Sequence, residues 1–268
     1  MESFLLNLAL GGFILSLLLS LFSFVVYFFR LAFLSIAVSH AVLAGLAIGV
    51  FLGIDPTLSA LIFSLFIGWL IAFLRRKTGL TEDASIGIVL ALAMAGGIIL
   101  IYLSGYQGNL LAFLFGSITT ISTTDVAILF VFLVLTAILF KINFQKIIFL
   151  CFDEESAYSS GVNTGILYYT LVGMLSFIVT FATKLVGVIL THAMLILPTA
   201  VAYQIAWHFS DLLLLSGIIS LLSTFGGLIL AYYTDMPAGP SIILLGGILF
   251  ITASLWRLKR KKILRRGK

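Results

Sequence analysis

His40 and His192 each stand inside a long apolar stretch, where an ionisable side chain is expensive and is by default a functional candidate. His40 is the tenth residue of a stretch over 31–54, and His192 the eighth of one over 185–206. At about 1.5 Å of helical rise per residue they lie about 15 Å and about 12 Å from opposite ends, nearly one depth in a core of about 30 Å. A neutral imidazole is a good ligand for zinc and other first-row transition metals. One such histidine alone reads better as a satisfied contact between helices than as a ligand. Two at matched depth point to ligation, provided that their helices adjoin. Asp125, Asp235 and Asp55 mark the ends of apolar stretches on the side that the charge pattern below makes external. Carboxylates at such a mouth would draw cations in. They read also as solvated helix ends, Asp125 as a possible N-terminal cap.

The elements that would position these groups are transmembrane helices. Apolar residues make up 62% of the 268 positions and charged residues 9%, against about a quarter charged in soluble domains. A spanning helix needs about 20 apolar residues. The charges divide the chain into about nine such pieces, over 3–29, 31–54, 57–74, 84–104, 122–143, 164–183, 185–206, 212–232 and 239–256, with eight also possible. The expected fold is an all-α polytopic bundle. One transmembrane domain covers 1–256 and a basic tail covers 257–268. Residues 105–121 read as a loop with a short surface helix.

Alternating the spans from a cytoplasmic C-terminus puts Arg30, Arg75, Arg76, Lys77, Lys141, Lys146 and the tail inside. That is fourteen of the fifteen basic residues, with Lys184 alone outside, as the positive-inside rule requires. The N-terminus is then external. It lacks the basic segment of a signal peptide, and its first apolar stretch is long enough to be a retained span. The net charge of +5 comes from the tail, which suits anionic lipid and has no base-reading motif beside it, so nucleic acid is not an expected partner.

Gly45, Gly49 and Gly53 recur every four residues on one face of the second span, a row that lets helix backbones approach closely. Pro198 should kink the seventh span beyond His192. Cys151 is the sole cysteine, which excludes an intrachain disulfide and a multi-cysteine metal site. There is no HExxH, no nucleophile elbow and no phosphate-binding loop. Any ATP hydrolysis must come from a separate subunit, and no catalytic residue or resident cofactor is expected. The polar segment near 152–163 is short and helical in its middle, a shape suited to docking on another protein.

Several stretches resemble the permeases of metal-uptake ABC importers, the zinc, manganese and iron group. Ser35, Ile36 and Ser39-His40-Ala41 followed by glycines are similar to that family's G-D-x-x-S/A-H-A stretch. Residues 82–88, 114–117, 184–187 with 195–200, and 235–241 are similar to further family stretches in the same order. The resemblance implies a homodimer in the prokaryotic plasma membrane, cytoplasmic ABC ATPase subunits, and an extracytoplasmic protein that delivers the metal. It also implies a coupling role for the segment with Asp153, Glu154, Glu155, Ala157 and Gly161, and a pathway role for His40. One departure stands out: Ile36 occupies the position four before the histidine where the family usually has an acid. His192, which the family usually lacks, is then expected to replace that carboxylate. Nitrogen ligands would favour zinc first, with iron(II), over manganese. The competing expectation, an ion-gradient-driven secondary metal transporter, calls for inverted repeats, and none is visible.

Overall fold

In the computed structural model, which describes residues 2–78, 81–105, 122–209 and 211–266, the chain is all-α, with ten helices and no strand among the described residues. In order they are α1 (Glu2–Phe28), α2 (Ala32–Leu52), α3 (Pro56–Lys77), α4 (Glu82–Ser104), α5 (Thr123–Phe152), α6 (Glu154–Ser159), α7 (Thr164–Val186), α8 (Val188–Ile205), α9 (Asp211–Thr234) and α10 (Ala238–Arg266). All but the short α6 are long and apolar enough to cross a membrane, nine candidate spans in the described residues. The chain is a multi-pass membrane protein. Residues 106–121, which include the expected surface helix and the stretch 114–117, lie outside the described residues.

Local chemistry sets the breaks. Gly53 ends α2 in the left-handed region at φ 68°, a conformation that costs glycine nothing. The Asp55 side chain then accepts from the Leu58 N–H at 2.7 Å, and Pro56 opens α3. Thr81 caps α4 and Asn163 caps α7 in the same manner. Two helices run two turns or more past their expected ends. α5 continues to Phe152 because Lys141, Asn143, Gln145 and Lys146 interrupt the apolar pattern and not the helix. Lysine and glutamine are good helix formers in water, and 30 residues reach about 45 Å against a core of about 30 Å. α10 likewise passes unbroken from 256 into the basic residues.

The chain divides into two compact units. One comprises residues 28–120 and 134–188. At its centre is α2, whose apolar window is 67% buried where that of α4 is 22%. α2 packs on α3, α4 and α7, and α3 packs on α7. Small residues make these contacts: a Cβ on Gly45 would come 2.5 Å from Ala60 Cα, one on Gly49 2.7 Å from Pro56 Cα, and one on Gly97 2.9 Å from Ala44 Cα. α3 and α7 meet at Gly68 and Ser176, and through a 2.6 Å hydrogen bond between the Ser64 and Thr180 hydroxyls. Gly53, the third member of the expected glycine row, has no heavy atom near its Cβ position and serves as the helix cap instead.

The other unit comprises residues 1–27, 121–133 and 189–268. Two serine rows join its helices, Ser16, Ser20 and Ser23 on α1 and Ser216, Ser220 and Ser223 on α9, all buried. Ser220 donates to the Ser16 carbonyl at 2.7 Å. Thr199 of α8 lies between the rows: its N–H reaches Ser23 Oγ at 3.1 Å and its hydroxyl meets Ser216 Oγ at 3.0 Å. Thr199 follows Pro198, which lies inside α8 and cannot donate to the helix ladder. Gly227 lets α9 reach the backbone of α10 at Ile242. The outward faces of the spans carry exposed Ile62, Phe66, Leu92, Ile98, Leu214 and Leu244, as chains solvated by lipid do.

Candidate metal pathway and coupling segment

His40 lies eight residues beyond the start of α2, about 12 Å along it. Its neighbours Ser35 and Ser39 spend their hydroxyls on the helix itself, donating to the carbonyls of Ala32 at 2.7 Å and Ser35 at 3.0 Å. The imidazole does not. His40 Nδ1 is buried without a hydrogen-bond partner. A buried polar atom left unsatisfied costs about 1–3 kcal/mol, so such an atom calls for a ligand or water. Ile36, one turn earlier on the same face, is half-buried and offers no donor atom.

His192 belongs to the other unit. It is half-buried, four residues past the start of α8, about 6 Å along the helix. That is half the depth expected, because Gly187 stops α7 and the next helix begins only at Val188.

Two of the three carboxylates cap helix starts. Asp125 is 6% exposed. Its Oδ2 accepts from the Ser122 N–H at 3.1 Å and from the Ser122 hydroxyl at 2.7 Å, while its own N–H donates to Ser122 Oγ at 3.1 Å. This reciprocal arrangement is a capping box at the start of α5. Asp235 is exposed in the turn between α9 and α10 with φ 55°, and Asp55 caps α3. Among the described residues no three His, Cys, Asp or Glu side chains gather closely enough to hold a metal ion.

The hydroxyl contacts are what inspection of ionisable residues alone misses. Thr136 and Thr183 each bury an Oγ1 without a hydrogen-bond partner. A signal for the serine seams was present, since both rows follow the same i, i+4, i+7 spacing on two spans.

Residues 153–161 form a short capped helix and a turn. Asp153 caps α6 by accepting from the Ser156 hydroxyl and the N–H groups of Glu155 and Ser156. The Ser156 bonds hold the Asp153 carboxyl below its ordinary pKa. Gly161 turns the chain at φ 84°, and the Val162 N–H returns to the Ala157 carbonyl at 3.1 Å. Ala157 is fully buried; Glu155, Tyr158 and Ser159 are exposed. Glu154 points the other way, its carboxylate 2.7 Å from Arg76 at the end of α3. That contact places α6 and the Arg75–Lys77 cluster at one end of the unit. Phe29 against Tyr168 and Phe28 against Phe152 bring the turn at Arg30 to that end too.

Comparison with known proteins agrees with this architecture. A probable metal transport system membrane protein of Thermotoga maritima is 34% identical over 250 residues, 93% of this chain and 88% of that protein. The manganese import system permease protein ScaB of Streptococcus gordonii is 31% identical over 232 residues, 87% of this chain and 84% of that one. Among solved structures, PsaBC from Streptococcus pneumoniae in complex with Fab matches with a TM-score of 0.82 at 28% identity, covering 96% of this chain and 95% of that chain. The model of the ABC 3 transport family matches residues 1–257, so the chain belongs to that family.

Proposed function

We propose that this chain is the membrane-spanning permease of an ATP-binding-cassette importer and that its cargo is a divalent transition-metal ion moved into the cytoplasm. The observation that carries the cargo class is His40, whose buried Nδ1 has no hydrogen-bond partner in the most enclosed helix of its unit. In this role the chain performs no chemistry. ATPase subunits on the cytoplasmic side supply the energy through α6, an extracytoplasmic protein delivers the metal, and a second copy of the chain completes the path. The C-terminus is cytoplasmic in this arrangement.

Relatives in Listeria innocua and Streptococcus gordonii are named for manganese, which moves manganese ahead of zinc in the order expected from sequence. Zinc is the second candidate, supported by Ile36 in place of a carboxylate, since carboxylate-rich sites suit manganese and imidazole suits zinc. His192 is a second pathway ligand in that case, with Asp125 and Asp235 as the outer carboxylates. Growth rescue and uptake measured separately with Mn, Zn and Fe(II) distinguish the cargoes. His40→Ala should lower uptake of the true cargo by about 10–100-fold, the scale on which metal affinity responds to ligand surroundings. His192→Ala should change the preference among the three metals. Wild-type uptake of all three by His40→Ala, in a protein present at normal levels, refutes the pathway role. Uptake that persists without any partner ATPase would restore the gradient-driven alternative.

A further inference from the structure

We propose that Arg76 and Glu154 form a strut that carries movement of α6 into α3, making Arg76 a positioning residue for energy coupling; this rests on the reading that α6 docks the ATPase. α6 has six residues and buries a single side chain, Ala157. A helix that short has no stability of its own, so its position is set by what grips it. The Asp153 cap grips it from within the segment. From outside, the Arg76 guanidinium meets the Glu154 carboxylate at 2.7 Å and donates at 3.3 Å to both the carbonyl and the hydroxyl of Thr164, the first residue of α7.

One planar cation therefore fixes three helix ends, which a flexible ammonium could not do with the same geometry. Its neighbour reinforces the joint. Arg75 donates to the Tyr168 hydroxyl at 2.7 Å, and the two guanidinium carbons lie 5.0 Å and 5.7 Å from that ring's centre. Beyond the joint α3 cannot yield independently, because its backbone touches α2 at Ala60 opposite Gly45 and its Ser64 is bonded to Thr180 of α7. α2 carries His40. A displacement of α6 thus has a contiguous, close-packed route to the helix that bears the pathway histidine.

The side chains of Arg76 and Glu154 are 25% and 42% exposed. A partly exposed pair of this kind adds little to stability, so its removal separates coupling from folding. The test uses the permease–ATPase complex purified from cells and reconstituted in vesicles, with metal uptake and ATP hydrolysis read in the same sample. Arg76→Gln and Glu154→Gln should each lower the metal moved per ATP by about fivefold or more, the lower bound for a typical coupling between sites, while ATP hydrolysis and melting stay near wild type. The exchange Arg76→Glu with Glu154→Arg should recover part of the ratio. Lys77→Gln, which removes an exposed charge from the same helix end, should leave it unchanged. An unchanged ratio in both single variants overturns the strut. Loss of the ATPase from both variants does so too, because the pair would then serve docking alone. A wild-type permease that retains no ATPase overturns the docking reading and this proposal with it.

Discussion

Gly45 offers the sharpest test of how the central helices are held. A Cβ at this position would lie 2.5 Å from Ala60 Cα, 3.2 Å from Ala60 N and 3.1 Å from Phe63 Cβ. Carbon atoms prefer about 3.5–4.0 Å, so Gly45→Ala pushes α2 away from α3 by about 1 Å against backbone that cannot swing aside. Overpacking of this sort costs about 1–3 kcal/mol. Alanine's better helix propensity returns about 0.5–1 kcal/mol, which would blur the single measurement. Gly96→Ala removes that ambiguity, because its Cβ position in α4 has nothing within 4 Å and collects the propensity gain alone. The difference between the two variants isolates the packing cost. For a chain of this size 1 kcal/mol corresponds to about 2–4 °C, so Gly45→Ala should melt roughly 2–12 °C below Gly96→Ala. Thermal unfolding of the detergent-solubilised protein, followed by loss of the monodisperse peak on size exclusion, reads this directly. If Gly45→Ala melts with or above Gly96→Ala, the close approach of α2 to α3 is not what holds this unit.

Two further outcomes follow from the caps. Ser122→Ala and Asp125→Ala should each destabilise the protein by about 1 kcal/mol, and the double variant should lose less than the sum because both belong to one capping box; a loss of metal uptake in Asp125→Asn that Ser122→Ala does not share would separate its place in the pathway from its capping role. For Asp153 the hydrogen bonds from Ser156 depress the carboxyl pKa, so its contribution is complete above the ordinary range near 4 and disappears as pH falls through the depressed value. Protection of the Glu155 and Ser156 amides against hydrogen exchange should therefore persist from neutral pH down to about 4 and fall below it, whereas Asp153→Ala should lack it throughout.

The sequence by itself determined the solvent, the spans and the family. With 9% charged residues every polar break in the chain had to mark a helix end or a helix leaving the membrane, and Asp55, Asp153, Asn163 and Gly53 are where helices start or stop. The limits of this logic are visible in α5, where polar residues ended the apolar stretch while the helix went on. Which face of each helix points inward was not legible, for a physical reason. A span surrounded by lipid is apolar all round, so hydrophobic periodicity cannot select a face. Contact is selected by small residues and hydroxyls whose partners are remote in sequence, such as Gly45 with Ala60, Ser64 with Thr180 and Ser220 with Ser16. The tertiary structure alone decided that Asp125 is occupied by Ser122, that Gly53 caps where it was expected to pack, and that Glu154 turns inward to Arg76. A side chain's spacing shows where it can reach, but the energy of a charge or hydroxyl in a low-dielectric interior depends on which partner arrives there.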